Sequence, residues 1–248
     1  LRILRAAADL GLKGVAIHGE DDAGALHAIR ADAALALRGR GAAAYLDAEQ
    51  IVALAVEAGC DAVHPGYGFL SESAAFARQC QEAGLVFVGP QPETLDRLGD
   101  KAQARQLAEE CGVRVLRGTQ GAASLAEVQA FAASLGEGGA LLIKAVSGGG
   151  GRGMRRVAVG DALDEAYARC CSEAEKYFGR PEVYAEEWMP SARHIEVQIA
   201  GDGERFVHFW ERECTLQRRH QKVVEVAPSP TLDSALRDQL LEAALHMA

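Results

Sequence analysis

Apolar residues recur at helical spacing in LRILRAAADLG, and the run stops at Gly11, which predicts a helix over 1–11 with a glycine terminator. KGVAIHG (13–19) has the length and character of a short strand. A helix of about twelve residues opens after Asp47, an N-cap before AEQIVALAVEAG. DAVH (61–64) is the next predicted strand, SAAFARQCQEAG (73–84) the next helix and LVFVG (85–89) a further strand. Strands alternating with helices imply a parallel sheet with helical crossovers, so the first ninety or so residues read as a small doubly wound α/β unit.

The pattern changes further on. A helix is predicted from Asp100 to about Glu110, stopped by Gly112, and a weakly patterned Gly/Ala/Ser-rich stretch follows to Gly139. LLIKAV (141–146) and MRRVAV (154–159) are strand-length runs either side of GGGGRG (148–153), and residues 161–178 form a long helix. EVYAEEW (182–188), HIEVQIAG (194–201) and RFVHFWER (205–212) are strand-like, and a last helix starts near Asp233. This second part reads as α+β with antiparallel hairpins, the boundary lying in GPQPETLDRLG near residues 90–99.

Composition narrows the function classes. No apolar run approaches the roughly 18–20 residues needed to cross a bilayer. Lys+Arg is 26 against Asp+Glu 35, and a net charge of -9 opposes general nucleic-acid binding. The six cysteines include no CxxC pair, so reduced thiols and a cytoplasmic setting are expected rather than a disulfide framework or a zinc site. The chain starts and stops inside apolar-periodic stretches without Met, cap or tail, which is expected of a piece of a longer polypeptide. Lysine is scarce, five against 21 arginines, so each lysine calls for a reason.

GGGGRG contains the spacing GxGxxG, but a dinucleotide fingerprint needs a helix after the glycines, and here a strand follows. A glycine-rich strand–loop–strand still lets backbone N–H groups approach phosphate oxygens, and four consecutive glycines exceed what a plain hairpin turn needs. Lys144 is the one charge in the apolar strand before that loop, suited as a compact cation to a phosphate. Lys101, at a helix start, is either a phosphate ligand or a solvated surface lysine. His194, Glu196 and Gln198 share one strand face and line a cleft or face water. TLQRRHQKVVEVAP (215–228) crowds Gln217, Arg218, Arg219, His220 and Lys222 together; if extended, it sets Gln217, Arg219 and Gln221 on one face and Arg218, His220 and Lys222 on the other, a cationic trio suited to phosphate, carboxylate or bicarbonate. Glu186 and Glu187 before Trp188 and Met189 either meet an adenine base or sit on a solvated edge. HPGYGFLSES (64–73) follows a strand end, where ligands of parallel sheets bind, yet its glycines and proline are also turn chemistry.

Six segments together resemble the biotin carboxylase family of ATP-grasp enzymes, which serve acetyl-CoA, propionyl-CoA and longer acyl-CoA carboxylases and pyruvate and urea carboxylases. They are HPGYGFLSE (64–72), FVGP (87–90), GDK (99–101), IKAVSGGGGRGM (143–154), RHIEVQ (193–198) and ERECTLQRRHQKVVEVAPSP (211–230). The resemblance implies a Rossmann-like N-terminal (pre-ATP-grasp) domain over 1–98 that binds no dinucleotide. An incomplete α+β ATP-grasp domain over 99–248 follows, with a glycine-lidded subdomain at about 115–185. It implies that Lys101 and Lys144 contact ATP phosphates under Gly150 and Gly151, and that Met154 with Glu186, Glu187, Trp188 and Met189 borders the nucleotide on its adenine side. His194, Gln217 and His220 would also line that site, His220 and Lys222 acting in catalysis and Lys222 holding bicarbonate. Glu187 and Trp188 stand where Lys-Tyr is common in the family. The family's metal-binding glutamates fall beyond Ala248, so no metal ligand is expected in this chain, and the isolated chain is expected to be inactive.

The implied activity is ATP-dependent carboxylation of biotin on a carrier protein, the first half-reaction of an acyl-CoA-type carboxylase. Bicarbonate and Mg-ATP (or Mn-ATP) give carboxyphosphate and ADP, and the carboxyl group then passes to biotin. This is phosphoryl transfer by positioning and charge stabilisation. The implied partners are a biotin carboxyl carrier, a carboxyltransferase domain or subunit and a second copy in a homodimer. The alternatives are a non-catalytic ATP-binding or assembly module of the same fold and another bicarbonate-using ATP-grasp ligase.

Overall fold

A computed structural model describes residues 1–146, 153–218 and 221–248. The chain divides into two units, Leu1–Gly99 and Asp100–Ala248.

The first unit begins with α1 (Arg2–Asp9), and Gly11 beyond it takes φ +71°, the left-handed backbone that makes glycine a terminator. β1 (Val15–His18) pairs in parallel with β2 (Ala33–Ala36), the crossover being α2 (Leu26–Arg30). After a 3₁₀ turn at Gly41–Leu46 comes α3 (Ala48–Glu57), where the Asp47 side chain accepts a hydrogen bond from the Gln50 amide as the N-cap reading requires. β3 (Ala62–Val63) pairs in parallel with β4 (Val86–Phe87) across α4 (Ala74–Glu82). Leu37, Ile51, Phe76, Cys80, Leu85 and Phe87 form the core, with Phe76 and Phe87 edge to face at 5.9 Å. In HPGYGFLSES the turn reading fits: Gly66 and Gly68 have positive φ, and Gly66 donates its amide to His64 Nδ1 at 3.0 Å.

In this unit three elements besides the 3₁₀ turn were not read from the sequence. α2 and β2 lie in an alanine-rich run whose small side chains mark no face. GPQPETLDRLG holds a helix, α5 (Pro92–Gly99), begun by a proline that needs no amide partner in a first turn.

The second unit opens with α6 (Lys101–Glu110), where the Asp100 carboxylate accepts from the Ala102 and Gln103 amides. Within the weakly patterned stretch to Gly139 lies α7 (Leu125–Ser134), with a capping box between Ser124 and Glu127. β5 (Ala140–Ala145) is the centre of a three-stranded antiparallel sheet, flanked by β6 (Met154–Ala158) and β7 (Val183–Glu187). α8 (Leu163–Phe178) covers one face and ends at Gly179, φ +72°. β8 (Ile195–Gly201), β9 (Phe206–Arg218) and β10 (Gln221–Val226) make the second antiparallel sheet, and α9 (Ser234–Met247) follows the Asp233 cap.

Side-chain alternation in β5 explains where the chemistry lies. Leu141, Ile143 and Ala145 are buried and pack with Val128, Val157, Cys170, Ala174 and Val183. Leu142 and Lys144 therefore face away from that core. All six cysteines are free, and among the described residues no helix is long and apolar enough to cross a membrane.

Candidate active site

Lys144 stands opposite Met154 on β6 and Tyr184 on β7, and Leu142 stands opposite Arg156 and Glu186. Register and alternation thus gather Lys144, Met154, Arg156, Tyr184 and Glu186 on the face turned from α8. Lys144 Nζ is ion-paired with Glu186, whose other oxygen lies 3.6 Å from Arg105 Nη1 on α6. Glu186 is 8% exposed, which excludes the solvated-edge reading for it. Burial, and next the charge of Glu186, push the Tyr184 phenol well above its ordinary pKa.

Lys101 sits one turn before Arg105 on α6, and its Nζ donates to the Val146 carbonyl at 3.4 Å, just past the end of β5. Two of the scarce lysines therefore lie at the same strand end. Glu187 is half-buried, with a carboxylate oxygen 4.0 Å from Arg117, and its amide donates to the Arg117 carbonyl. The Trp188 amide donates to Ala140, and the Arg156 guanidinium lies 5.7 Å from the Trp188 ring centre. Met189 is exposed. Gly150, Gly151 and His220 lie outside the described residues.

A second cluster occupies the β8–β9–β10 sheet. The polar run after Thr215 is not one extended strand: β9 and β10 are antiparallel, with Lys222 opposite Gln217. The faces expected for a single strand are therefore corrected, because cross-strand partners share a face. Gln217 Nε2 lies 2.8 Å from His194 Nδ1, and His194 Nε2 is 3.7 Å from Glu196. Lys222 is ion-paired with Glu196, which also accepts from Arg212 Nη2 at 2.5 Å; Glu225 lies 3.6 Å from Arg212 and 3.9 Å from Lys222. The structure thus joins His194, Gln217 and Lys222 through Glu196, and adds Arg212 and Glu225. Partial burial opposes the charge on Glu196, but hydrogen bonds from Lys222 and Arg212 outweigh it and hold its carboxyl below the ordinary range. The same bond to Glu196 raises the Lys222 ammonium, so both groups are charged at neutral pH.

Beside them lies a possible metal set, Glu196, Cys214 and Glu225, with ligand atoms within 4.8 Å of one another. It does not fit magnesium. Both carboxylates already face Lys222 and Arg212, burial raises the Cys214 pKa and keeps a protonated thiol, and magnesium prefers oxygen ligands.

The hairpin is braced from behind by Arg193, whose Nε and Nη2 bond the two oxygens of Glu213 at 3.0 and 2.6 Å; Ser229 also donates to Glu213 at 2.7 Å. The Arg193 bonds, then that of Ser229, hold the Glu213 carboxyl at about 2. A carboxyl depressed in the folded state stabilises above its unfolded value and loses that contribution as pH falls to the folded one. Stability is therefore expected to decline between about pH 4.5 and 2 partly through this group. In urea titrations at pH 5 and pH 3, Arg193→Met should narrow the difference between the two midpoints. An unchanged difference would remove Glu213 from the account.

Residues 1–95 match the biotin carboxylase N-terminal domain, and residues 100–248 match the ATP-binding domain of the carbamoyl-phosphate synthase L chain type. The chain belongs to the biotin carboxylase family of ATP-grasp proteins. The pyruvate carboxylase of Bacillus subtilis is 48% identical over 253 residues, covering all of this chain and 22% of that protein. Pyruvate carboxylase 1 of Caenorhabditis elegans is 46% identical, covering all of this chain and 21% of that protein. The chain therefore spans about a fifth of the length of these curated relatives. Among solved structures, a biotin carboxylase β-γ-ATP complex from Campylobacter jejuni superposes with a TM-score of 0.95 at 38% identity, over all of this chain and 56% of that one. The biotin carboxylase domain dimer of Hydrogenobacter thermophilus 2-oxoglutarate carboxylase, in complex with MgADP, ADP and bicarbonate, gives 0.92 at 38% identity, over all of this chain and 55% of that one.

Proposed function

We propose that this chain supplies nucleotide- and bicarbonate-handling parts of a biotin carboxylase. The observation that carries the reading is the convergence of His194, Gln217 and Lys222 around Glu196, in the unit where Lys144 and Lys101 meet at the end of β5. On this reading Lys101, Lys144, Gly150 and Gly151 bind ATP phosphates. Met154 and Glu186 to Met189 border the base, and His194, Gln217 and His220 line the remainder of the nucleotide site. Lys222 holds bicarbonate. A bicarbonate oxygen attacks the γ-phosphorus, the bond to the bridging oxygen breaks, and ADP leaves with carboxyphosphate as the other product. Fixed cations at that point stabilise developing charge without reorganisation. Carboxyphosphate then splits into carbon dioxide and phosphate, and a ureido nitrogen of biotin on a carrier adds to the carbon dioxide as its N–H proton passes to the phosphate. Magnesium accompanies the nucleotide as part of the substrate.

Two domain assignments belong to the proposal: a Rossmann-like domain over 1–98 and the ATP-grasp domain from 99. So do a carrier, a carboxyltransferase, a second copy in a dimer and a cytoplasmic setting, the last supported by the free thiols. For the final acceptor, relatives named as pyruvate carboxylases and a 2-oxoglutarate carboxylase favour a 2-oxo acid over the acyl-CoA expected from sequence. The test is ADP release by the polypeptide that carries this chain. Release should require bicarbonate and rise with free biotin. ATP binding without bicarbonate-dependent release would instead mark a non-catalytic module.

A further inference from the structure

Glu186 is a carboxylate with two cations and little water. Lys144 is paired to one oxygen and Arg105 Nη1 lies 3.6 Å from the other. The two cations differ in how they are held. Lys144 is a single amine on a flexible stem, its Nζ paired with Glu186. Arg105 has a second, independent anchor, donating from Nη2 to the Leu116 carbonyl at 2.6 Å. The chain closes around it at Gly118, where an added Cβ would stand 2.7 Å from the Ala185 carbonyl and 3.2 Å from that same Nη2. Gly118 also forms an antiparallel bridge with Glu186 itself, so the backbone that fixes Arg105 is tied to the strand that carries the carboxylate.

This arrangement bears on the proposed phosphate contact of Lys144, on which the inference rests. Lys144 must turn from Glu186 to meet an incoming triphosphate. A carboxylate this buried would then lose its nearest counter-charge, and breaking a buried pair is strongly unfavourable when nothing replaces the lost partner. Arg105 is already in place to replace it. We infer that Arg105 is a positioning residue that keeps Glu186 neutralised when nucleotide draws Lys144 away, so that Lys144 is free to bind phosphate. No covalent bond changes and no proton moves. Arg105 itself touches no substrate.

The test is ATP affinity, measured by isothermal titration calorimetry on the polypeptide that carries this chain. Arg105→Met should weaken ATP binding about tenfold, because Lys144 then becomes the sole counter-ion of Glu186. Arg105→Lys should recover affinity to within about threefold of wild type. In a Glu186→Gln background there is no carboxylate to neutralise, so adding Arg105→Met should change nothing further. A residue that acted only through shape would cost the same in both backgrounds. Wild-type affinity in Arg105→Met, or an equal loss in the Glu186→Gln background, overturns the inference. If Arg105→Met alone does not fold, the comparison is read between Glu186→Gln and the double variant: equal affinities support the inference and unequal ones overturn it. A wild-type polypeptide that binds no ATP overturns the site reading and the inference with it, whereas ATP binding that ignores Arg105→Met overturns the inference alone.

Discussion

Lys222→Met is expected to lower bicarbonate-dependent ADP release by about 10²–10³-fold, the usual loss when one fixed charge that stabilises a reacting anion is removed. The structure makes this substitution clean. Glu196 keeps Arg212 at 2.5 Å when Lys222 is gone, so no carboxylate is orphaned and the β9–β10 hairpin retains its register. ATP affinity should stay within about threefold of wild type, since the proposed phosphate lysines lie elsewhere. Turnover that survives Lys222→Met within about threefold would contradict the bicarbonate role. A loss confined to ATP affinity would move Lys222 to the nucleotide.

Ile143→Ala is expected to destabilise the second unit by about 2–5 kcal/mol, the range for large-to-small changes in a closed core. Ile143 is fully buried at the centre of β5, between Arg155 on β6 and Ala185 on β7. Its burial also sets the opposite orientation of Lys144, the next residue along. The urea midpoint should fall with little change in slope, as for a loss of stability without a change in exposed area. A loss below about 1 kcal/mol would mean that the site can collapse around the cavity, and the packing described for β5 would be wrong.

Much of this was readable in the chain because it depends on local pattern. The lone lysine in LLIKAV marked the polar side of β5, and alternation in HIEVQI placed His194 and Glu196 on one face. The parallel β3–β4 pair followed from strands separated by a helix, α4. Features set by distant residues were not readable. α7 lies in a region too poor in large side chains to show a stripe, although Ser124 with Glu127 three residues later is a capping-box signature and would have located it. For Glu186 the pattern left a base contact and a solvated edge equally open, because its burial depends on Arg105 and Lys144, which approach from other elements. The pairing of Lys222 with Gln217 depends on where the strand reverses, and alternation within a single strand carries no information about that. Arg212 and Glu225 were missed for the same reason: each is an ordinary charged residue on a strand until the sheet forms and both close on Glu196 and Lys222.

On the proposed function, this chain belongs to machinery that moves a carboxyl group from bicarbonate to biotin. The direct measurement is transfer of labelled bicarbonate carbon to free biotin by the polypeptide that carries this chain, with ATP and magnesium, in wild type and Lys222→Met. ATP-dependent label is expected in biotin with wild type, and loss of that label with Lys222→Met. ATP cleavage that proceeds with no label reaching biotin, or label that survives the loss of Lys222, would contradict the proposed function.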